Sequence, residues 1–284
     1  FHRQVSSSRR MKIAAQRCFA LLVALGLFWG TGPARAEFQW QSVADVVAVS
    51  FLPGWRLADG NHMAAIRIDL APGWKTYWRA PGEGGVPTVI RLDETTAVRD
   101  VVIHWPRPDV FVINGMRSIG YKDSVILPLE FVLSAAGEIV IAGRVDMGVC
   151  LDVCIPITLD LSGSLPVATQ RSAAIVAALG DRPLTATEAG ASTARCQLTP
   201  ISDGLRVNVS ISLPVTGDLE TVVIEHRDPG MWVSETTTRR DGMTVSATAD
   251  IVPPHHGAFA LNRRDLRFSV IGSQMAVELD GCQG

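Results

Sequence analysis

The sequence has no excess of charge of either sign, since 26 Lys and Arg residues stand against 28 Asp and Glu residues. It therefore lacks the cationic surface with which proteins neutralise nucleic-acid phosphates, and nucleic acid is not an expected partner. After Glu37 it also lacks any continuous apolar run near the ~20 residues of a membrane-spanning helix. We therefore expect no membrane span in the mature chain.

The first 36 residues have the order of features found in secretory signal peptides. From Met11 a short basic stretch is followed by the apolar run CFALLVALGLFW and by small residues up to Ala36. This order predicts export and cleavage after Ala36, with residues 1–10 as upstream translated sequence. We therefore expect a periplasmic protein; a retained N-terminal anchor is the alternative.

Cysteine is scarce: there are five in the chain, and Cys18 lies in the leader. Disulfides persist outside the cytoplasm and are rare within it, so export changes what the other four cysteines mean. Their even number permits full pairing. Of the three possible connectivities, proximity favours Cys150 with Cys154 and Cys196 with Cys282.

Short alternations of apolar and polar residues fill most of the remaining chain. Over 37–166 they include residues 43–51 and 62–70, and Pro-Gly and Asn-Gly turns separate them. This period of two predicts antiparallel strands in a sandwich. Over 167–194 the helical spacing in RSAAIVAALGDRP predicts a short helix and linker, and the strand pattern returns over 195–284. We therefore predict an all-β fold of tandem immunoglobulin-like β-sandwich domains joined by a short helical linker.

Cys150 and Cys154 lie between two predicted strands, with three residues between them. Four steps of extended strand would separate their Cα atoms by ~13 Å, whereas a disulfide needs ~4.4–6.8 Å, so the segment must turn. In the chain-entropy treatment a five-residue ring contributes ~2 kcal/mol to stability, and a ring closed by Cys196 and Cys282 contributes ~4.6 kcal/mol. The long bridge is therefore predicted to be structural, and the short one to be labile and catalytic.

Two other interpretations of the short pair stay open. It can be a structural hairpin disulfide, or half of a zinc site. The further zinc ligands would be scattered histidines: His62, His104, His226, His255 or His256. Asp152, between the thiols, should raise their pKa unless a cation such as Arg144 offsets it. A copper-binding version would combine the thiols with His255-His256, Met231 and Met243.

Three segments together carry a family resemblance: PGWKTYWRAPGEGGVPT (72–88), HWPRPDVFVINGMRSIGYKDSVILPLEF (104–131) and GVCLDVCIP (148–156). They resemble the N-terminal periplasmic domain of the thiol:disulfide interchange protein DsbD and, more closely, that of its relative ScsB, the suppressor-of-copper-sensitivity protein. The resemblance implies an immunoglobulin-like domain that shuttles electrons through Cys150 and Cys154. One cysteine thiolate would attack a partner disulfide and the other would resolve the mixed disulfide.

The resemblance also implies roles for residues around the pair. A cap loop shields the reactive cysteines in DsbD, and the matching stretch here runs from Tyr77 to Gly85. Tyr77 and Trp78 would cover the sulfurs, Glu83 would handle a proton, and Tyr121 would line the same site.

The implied activity is that of a thiol–disulfide oxidoreductase of the protein-disulfide reductase type, with thioredoxin-fold periplasmic proteins as partners. The sequence contains no counterpart of the eight-helix membrane domain or of the thioredoxin-like domain of DsbD, so a separate membrane electron donor of the DsbD/ScsB type is expected. We expect no cofactor and no resident metal. The alternative is a non-catalytic periplasmic binding module with structural disulfides, in copper tolerance or cytochrome c assembly.

Overall fold

The structure, a computed structural model, describes residues 42–284 except 83, 94, 114–115, 168–169 and 256–258. The predicted signal peptide lies outside the described residues. Within them, no helix combines the length and the apolar character needed to cross a bilayer.

The first half of the described chain forms a sandwich of two antiparallel sheets. Its elements are α1 Val43–Val46, β1 Val47–Arg56, β2 His62–Leu70, β3 Lys75–Tyr77, β4 Val89–Leu92, β5 Val98–Ile103, β6 Asp109–Ile113, β7 Met116–Lys122, β8 Ser124–Leu133, β9 Ile139–Cys150 and β10 Cys154–Leu165. One sheet has the order β1-β2-β8-β5. The other has the order β10-β9-β3-β7-β6, with β4 also paired to β9.

Alternation along the strands builds the core between these sheets. In β9, Ile139, Ile141 and Val145 are buried, whereas the intervening Val140 is 75% exposed. Successive side chains of a strand point to opposite faces, so such a sequence buries one face and leaves the other in solvent.

The start of the first predicted strand is wrong. Residues 43–46 form the short helix α1, and β1 begins only at Val47. Ser42 and Asp45 explain the difference, because the backbone N–H and the hydroxyl of Ser42 both donate to the Asp45 carboxylate, at 3.0 and 2.7 Å. This side-chain cap stabilises a helical turn that alternation alone does not reveal.

A helix and a second sandwich follow. The elements are α2 Ala173–Gly180, β11 Leu184–Thr185, β12 Arg195–Pro200, β13 Leu205–Ser212, β14 Thr221–His226, β15 Trp232–Val233, β16 Thr237–Asp241, β17 Thr244–Val252, a 3₁₀ turn Arg263–Asp265, β18 Leu266–Ile271 and β19 Ala276–Asp280. The sheets have the orders β11-β19-β18-β14 and β12-β13-β17-β15, with β16 paired to β17.

The two sandwiches have largely separate cores, which confirms the predicted tandem β-sandwich fold. Residues Ser42–Gly284 form one compact unit. Within it the two sandwiches pack against each other, since Ile271 and Ala276 of the second sandwich join the core cluster of the first. Ile175 of α2 is fully buried beside Trp55 and Met63. The exact domain boundaries stay a prediction.

Candidate active site at the Cys150–Cys154 hairpin

A tight hairpin brings the two cysteines of the short pair together. β9 ends at Cys150, β10 begins at Cys154, and the antiparallel register places the two residues directly opposite each other. Their sulfurs are bonded, and their Cα atoms are 4.2 Å apart. The turn expected from the sequence is therefore a loop tip at residues 151–153.

The two cysteines differ in their access to solvent. Cys150 is 7% exposed, whereas Cys154 is an exposed residue. The loop tip carries two apolar side chains, Leu151 at 41% and Val153 at 63% exposure. A thiol from outside therefore has its approach at Cys154, beside an apolar rim.

A tyrosine hydroxyl lies against both sulfurs. β3 pairs with β9 so that Lys75 is opposite Cys150, and alternation puts Tyr77 on the same face. The Tyr77 hydroxyl is 2.7 Å from Sγ of Cys150 and 2.9 Å from Sγ of Cys154. Disulfide sulfurs carry no proton, so the hydroxyl is the donor.

Two glycines make room for the Tyr77 ring. A Cβ placed on Gly148 would come within 3.0 Å of one edge of the ring, and a Cβ on Gly85 within 2.7 Å of the other. Only 5% of Tyr77 is exposed, and burial raises the pKa of its hydroxyl above the ordinary value. The hydroxyl therefore keeps its proton at neutral pH and can donate to a thiolate formed when the disulfide opens.

The cap segment, Tyr77–Gly85, is tied to the sheet beside the hairpin. The Ile119 N–H donates to the Pro81 carbonyl at 3.0 Å. Just beyond the segment, the Gly148 N–H donates to the Val86 carbonyl at 3.3 Å, and the Thr88 hydroxyl donates to the Tyr77 carbonyl at 3.3 Å. Glu83, expected to handle a proton, lies outside the described residues.

The other two aromatic residues expected at the site lie in the core. Trp78 is fully buried there, and Tyr121 donates its hydroxyl to the Pro106 carbonyl at 2.9 Å. Burial raises the pKa of Tyr121 well above its ordinary value. Tyr121 pairs with Thr76, whose side chain points away from the cysteine face. The structure therefore brings Tyr77 to the sulfurs and leaves Trp78 and Tyr121 behind the sheet.

The cation expected beside the thiols is also placed elsewhere. Arg144 precedes Cys150 by six residues in β9, or ~20 Å of extended strand, so its positive charge is too far away to offset the negative charge of Asp152 beside the two sulfurs. The register instead places Lys75 next to Cys150. Sequence reasoning also missed Gly85 and Gly148, which become significant only when β3 and β9 are known to be neighbours.

Three of the five histidines of the zinc interpretation make hydrogen bonds elsewhere. The ring of His62 bonds the Pro53 carbonyl, that of His104 the Glu130 carboxylate, and that of His226 the Asp228 N–H. His256 falls among the residues that are not described. In the part of the chain that the structure covers, no three His, Cys, Asp or Glu side chains converge to hold a metal ion.

The second disulfide joins Cys196 and Cys282, as expected from the sequence. Cys196 is 2% exposed within the second core. Its N–H donates to the Gln283 carbonyl at 2.8 Å, and the Gln283 N–H donates to the Ala194 carbonyl at 2.8 Å. The disulfide and these two hydrogen bonds together hold the last described residues against β12.

A β-sandwich with a partly exposed hairpin disulfide beneath a buried tyrosine defines an immunoglobulin-like domain with a thiol–disulfide site. Residues 42–165 match the family described as thiol:disulfide interchange protein DsbD, N-terminal. This match confirms the resemblance seen in the sequence, and this part of the chain is a DsbD-type N-terminal domain.

The chain is also similar to a solved structure, the crystal structure of the N-terminal periplasmic domain of ScsB from Proteus mirabilis. The TM-score is 0.64 at 24% identity, and the match covers 86% of this chain and 97% of that one. At this identity the match shows a shared fold, and its coverage takes in both sandwiches. No curated protein matches the chain.

Proposed function

We propose that this protein is an exported, periplasmic thiol–disulfide exchange module, a disulfide reductase or electron relay that acts on thioredoxin-fold proteins through Cys150 and Cys154. The observation that carries the proposal is the Tyr77 hydroxyl, which reaches both sulfurs of a disulfide with one exposed side. The DsbD family match of residues 42–165 supports it.

The difference in exposure supports different steps for the two cysteines. A partner thiolate attacks Sγ of Cys154, a sulfur–sulfur bond forms between partner and Cys154, and the Cys150–Cys154 bond breaks. The bonding electron pair leaves with Cys150, whose thiolate accepts the hydrogen bond from Tyr77. The second thiol of the partner then attacks its own sulfur of the mixed disulfide and releases Cys154. In this direction the module gains two electrons and, after protonation, two protons, and the electron-donating partner becomes a disulfide. The same steps in reverse reduce the disulfide of a client.

The apolar rim supports recognition of a protein partner rather than of a small thiol alone. Leu151 and Val153 project from the loop tip on both sides of Asp152. Apolar side chains around a reactive sulfur provide contact area that becomes buried when a partner docks.

The electron donor is a separate membrane protein of the DsbD/ScsB type, and the leader is removed after Ala36.

Trapping of the mixed disulfide tests the proposal. Cys150→Ser leaves the exposed Cys154 without its resolving partner, so its thiolate should attack the disulfide of an oxidised thioredoxin-fold protein and, with no second cysteine to resolve it, hold that protein in a mixed disulfide. Cys154→Ser leaves only the buried Cys150 and should trap much less. Both variants retain Cys196 and Cys282, so each is the control for the other. If neither variant traps any thioredoxin-fold protein, the proposal is wrong.

A redox titration against glutathione, with mass detection of both pairs, separates this function from that of a non-catalytic binding module. We expect a reduction potential for Cys150–Cys154 between about −120 and −270 mV, the range of known exchange proteins. A value below about −300 mV would indicate a structural disulfide and favour the alternative, in copper tolerance or cytochrome c assembly.

A further inference from the structure

Arg79, at the start of the cap segment, lies in a partly buried ion cluster. Its guanidinium stacks on the Trp78 ring, 4.0 Å from the centroid. It also forms a two-point ion pair with Glu225, at 3.0 Å from Nε and 2.9 Å from Nη2, and a second ion pair with Glu278. Only 15% of the Arg79 side chain is exposed. The cluster is therefore shielded from much of the solvent screening that weakens surface ion pairs.

The carboxylates of this cluster belong to the second sandwich. Glu225 lies on β14 and Glu278 on β19, and β18 between them contributes the Ser269 hydroxyl at 3.4 Å from Arg79. Arg267, also on β18, is 3.5 Å from Glu278 and balances the second carboxylate. One sheet face of the second sandwich thus presents a fitted anionic site to an arginine of the first.

A second arginine makes a parallel connection. Arg117 on β7 pairs with Glu235 at 2.9 Å and donates to the Thr236 carbonyl at 3.3 Å. β7 also holds the cap segment, because the Ile119 carbonyl accepts from the Trp78 N–H and the Ile119 N–H donates to Pro81. The second sandwich therefore contacts the cap segment directly through the ion pairs of Arg79 and indirectly through the ion pair of Arg117 on β7.

The cap segment supplies one wall of the Tyr77 pocket, since Gly85 lies against the ring. Arg79 follows Tyr77 by two residues, and Trp78 between them is fixed in the core. The position of Arg79 therefore sets the direction in which the chain leaves Tyr77 and returns to Gly85.

We propose that Arg79 is a positioning residue for the exchange site: through Glu225 and Glu278, the second sandwich holds the cap segment so that the Tyr77 hydroxyl stays on the sulfurs of Cys150 and Cys154. The proposal rests on the exchange function proposed above, and it gives the second sandwich a part in that function. Contacts between the sandwiches then set how well the Cys150 thiolate is stabilised when it leaves.

The test is a double variant, Glu225→Gln with Glu278→Gln, which keeps Arg79 and its stacking on Trp78. Reduction of the Cys150–Cys154 disulfide by dithiothreitol is followed by alkylation and mass detection. We expect the rate to fall about fivefold, because the fraction of molecules that hold the Tyr77 hydroxyl on the sulfurs should fall by about that factor. The matched control is Asp250→Asn, which removes an exposed two-point pair with Arg206 in the other sheet of the second sandwich and should leave the rate unchanged.

A positioning role makes a prediction that a purely structural role does not. In a Tyr77→Phe background the two glutamine substitutions should have no further effect on the rate, because the hydroxyl that they misplace is already absent. They should also raise the pKa of the Cys150 thiol in the otherwise wild-type protein. An unchanged rate, or an equal decrease with and without the Tyr77 hydroxyl, would overturn the proposal.

A second variant and the choice of reductant keep the test decisive. If the double variant does not fold, Arg79→Lys replaces it, since lysine keeps the charge but loses the two-point geometry, and it should give part of the decrease. Dithiothreitol needs no protein partner, so the positioning role of Arg79 is tested independently of any client.

If the Cys150→Ser variant traps no partner while the reduction rates of the glutamine variants change as expected, the proposed function alone is overturned.

Discussion

The two disulfides of this chain differ in ring size, burial and neighbours. Cys150 and Cys154 are four positions apart on one hairpin, one of them is exposed, and Tyr77 contacts both sulfurs. Cys196 and Cys282 are 86 positions apart, and Cys196 is buried in the second core. The first bond can open without releasing any strand from its sheet, whereas the second restrains most of a sandwich. Ring size and access together separate a bond suited to exchange from one suited to stability.

The largest expected effect is on stability. Replacing Cys196 and Cys282 with alanine should lower the free energy of unfolding by about 4.6 kcal/mol, because the unfolded chain regains the freedom of a large ring, whereas replacing Cys150 and Cys154 should cost about 2 kcal/mol. Chemical denaturation of the two double variants measures the difference. Equal losses, or a larger loss at the hairpin, would mean that the short bond is also a structural staple.

The next effect concerns the thiolate. Tyr77→Phe removes the hydrogen bond that the Cys150 thiolate would accept, and a hydrogen bond to a charged group contributes about 1.5 kcal/mol or more, so the pKa of the Cys150 thiol should rise by about one unit. Alkylation rates of the reduced protein as a function of pH measure that pKa.

The only other tyrosine in the chain provides the control. Tyr121→Phe removes a hydroxyl that donates to the Pro106 carbonyl in the core, so it should cost about 1 kcal/mol of stability and leave the pKa of Cys150 unchanged. If both variants move the pKa equally, the contact between Tyr77 and the sulfurs has no special role.

Much of the fold follows from alternation in the sequence. Residues 62–70 form β2 with the predicted bounds. Its buried face was not predicted, because the first five residues are buried on both faces, and Ile175 of α2 covers Met63 and Ala65. β3 has only three residues, too few to show a period, so no local pattern indicated it. Yet β3 places the Tyr77 hydroxyl on the sulfurs, so one strand that positions the site was not predicted from the sequence.

The site was predicted in its chemistry more than in its geometry. The cysteine pairing followed from spacing, whereas Tyr77 and Tyr121 were both candidates until the register between β3 and β7 placed them on opposite faces of the sheet. The partners of Arg79 lie 146 and 199 positions along the chain, beyond the reach of any local pattern. Side-chain identity therefore suggested the reaction, and long-range pairing decided which residues serve it.

The smallest expected effect tests the shape of the Tyr77 pocket. Gly148→Ala would place a methyl group 3.0 Å from the ring and 2.9 Å from Cβ of Val86, so the ring must shift and its hydroxyl must leave the sulfurs in part. We expect a loss of about 1 kcal/mol of stability and a rise in the pKa of Cys150 smaller than that caused by Tyr77→Phe. Gly84→Ala is the control within the cap segment, because nothing lies within 4 Å of a Cβ placed there. A Gly148→Ala protein with an unchanged pKa would show that the hydroxyl holds its position without the help of the glycine.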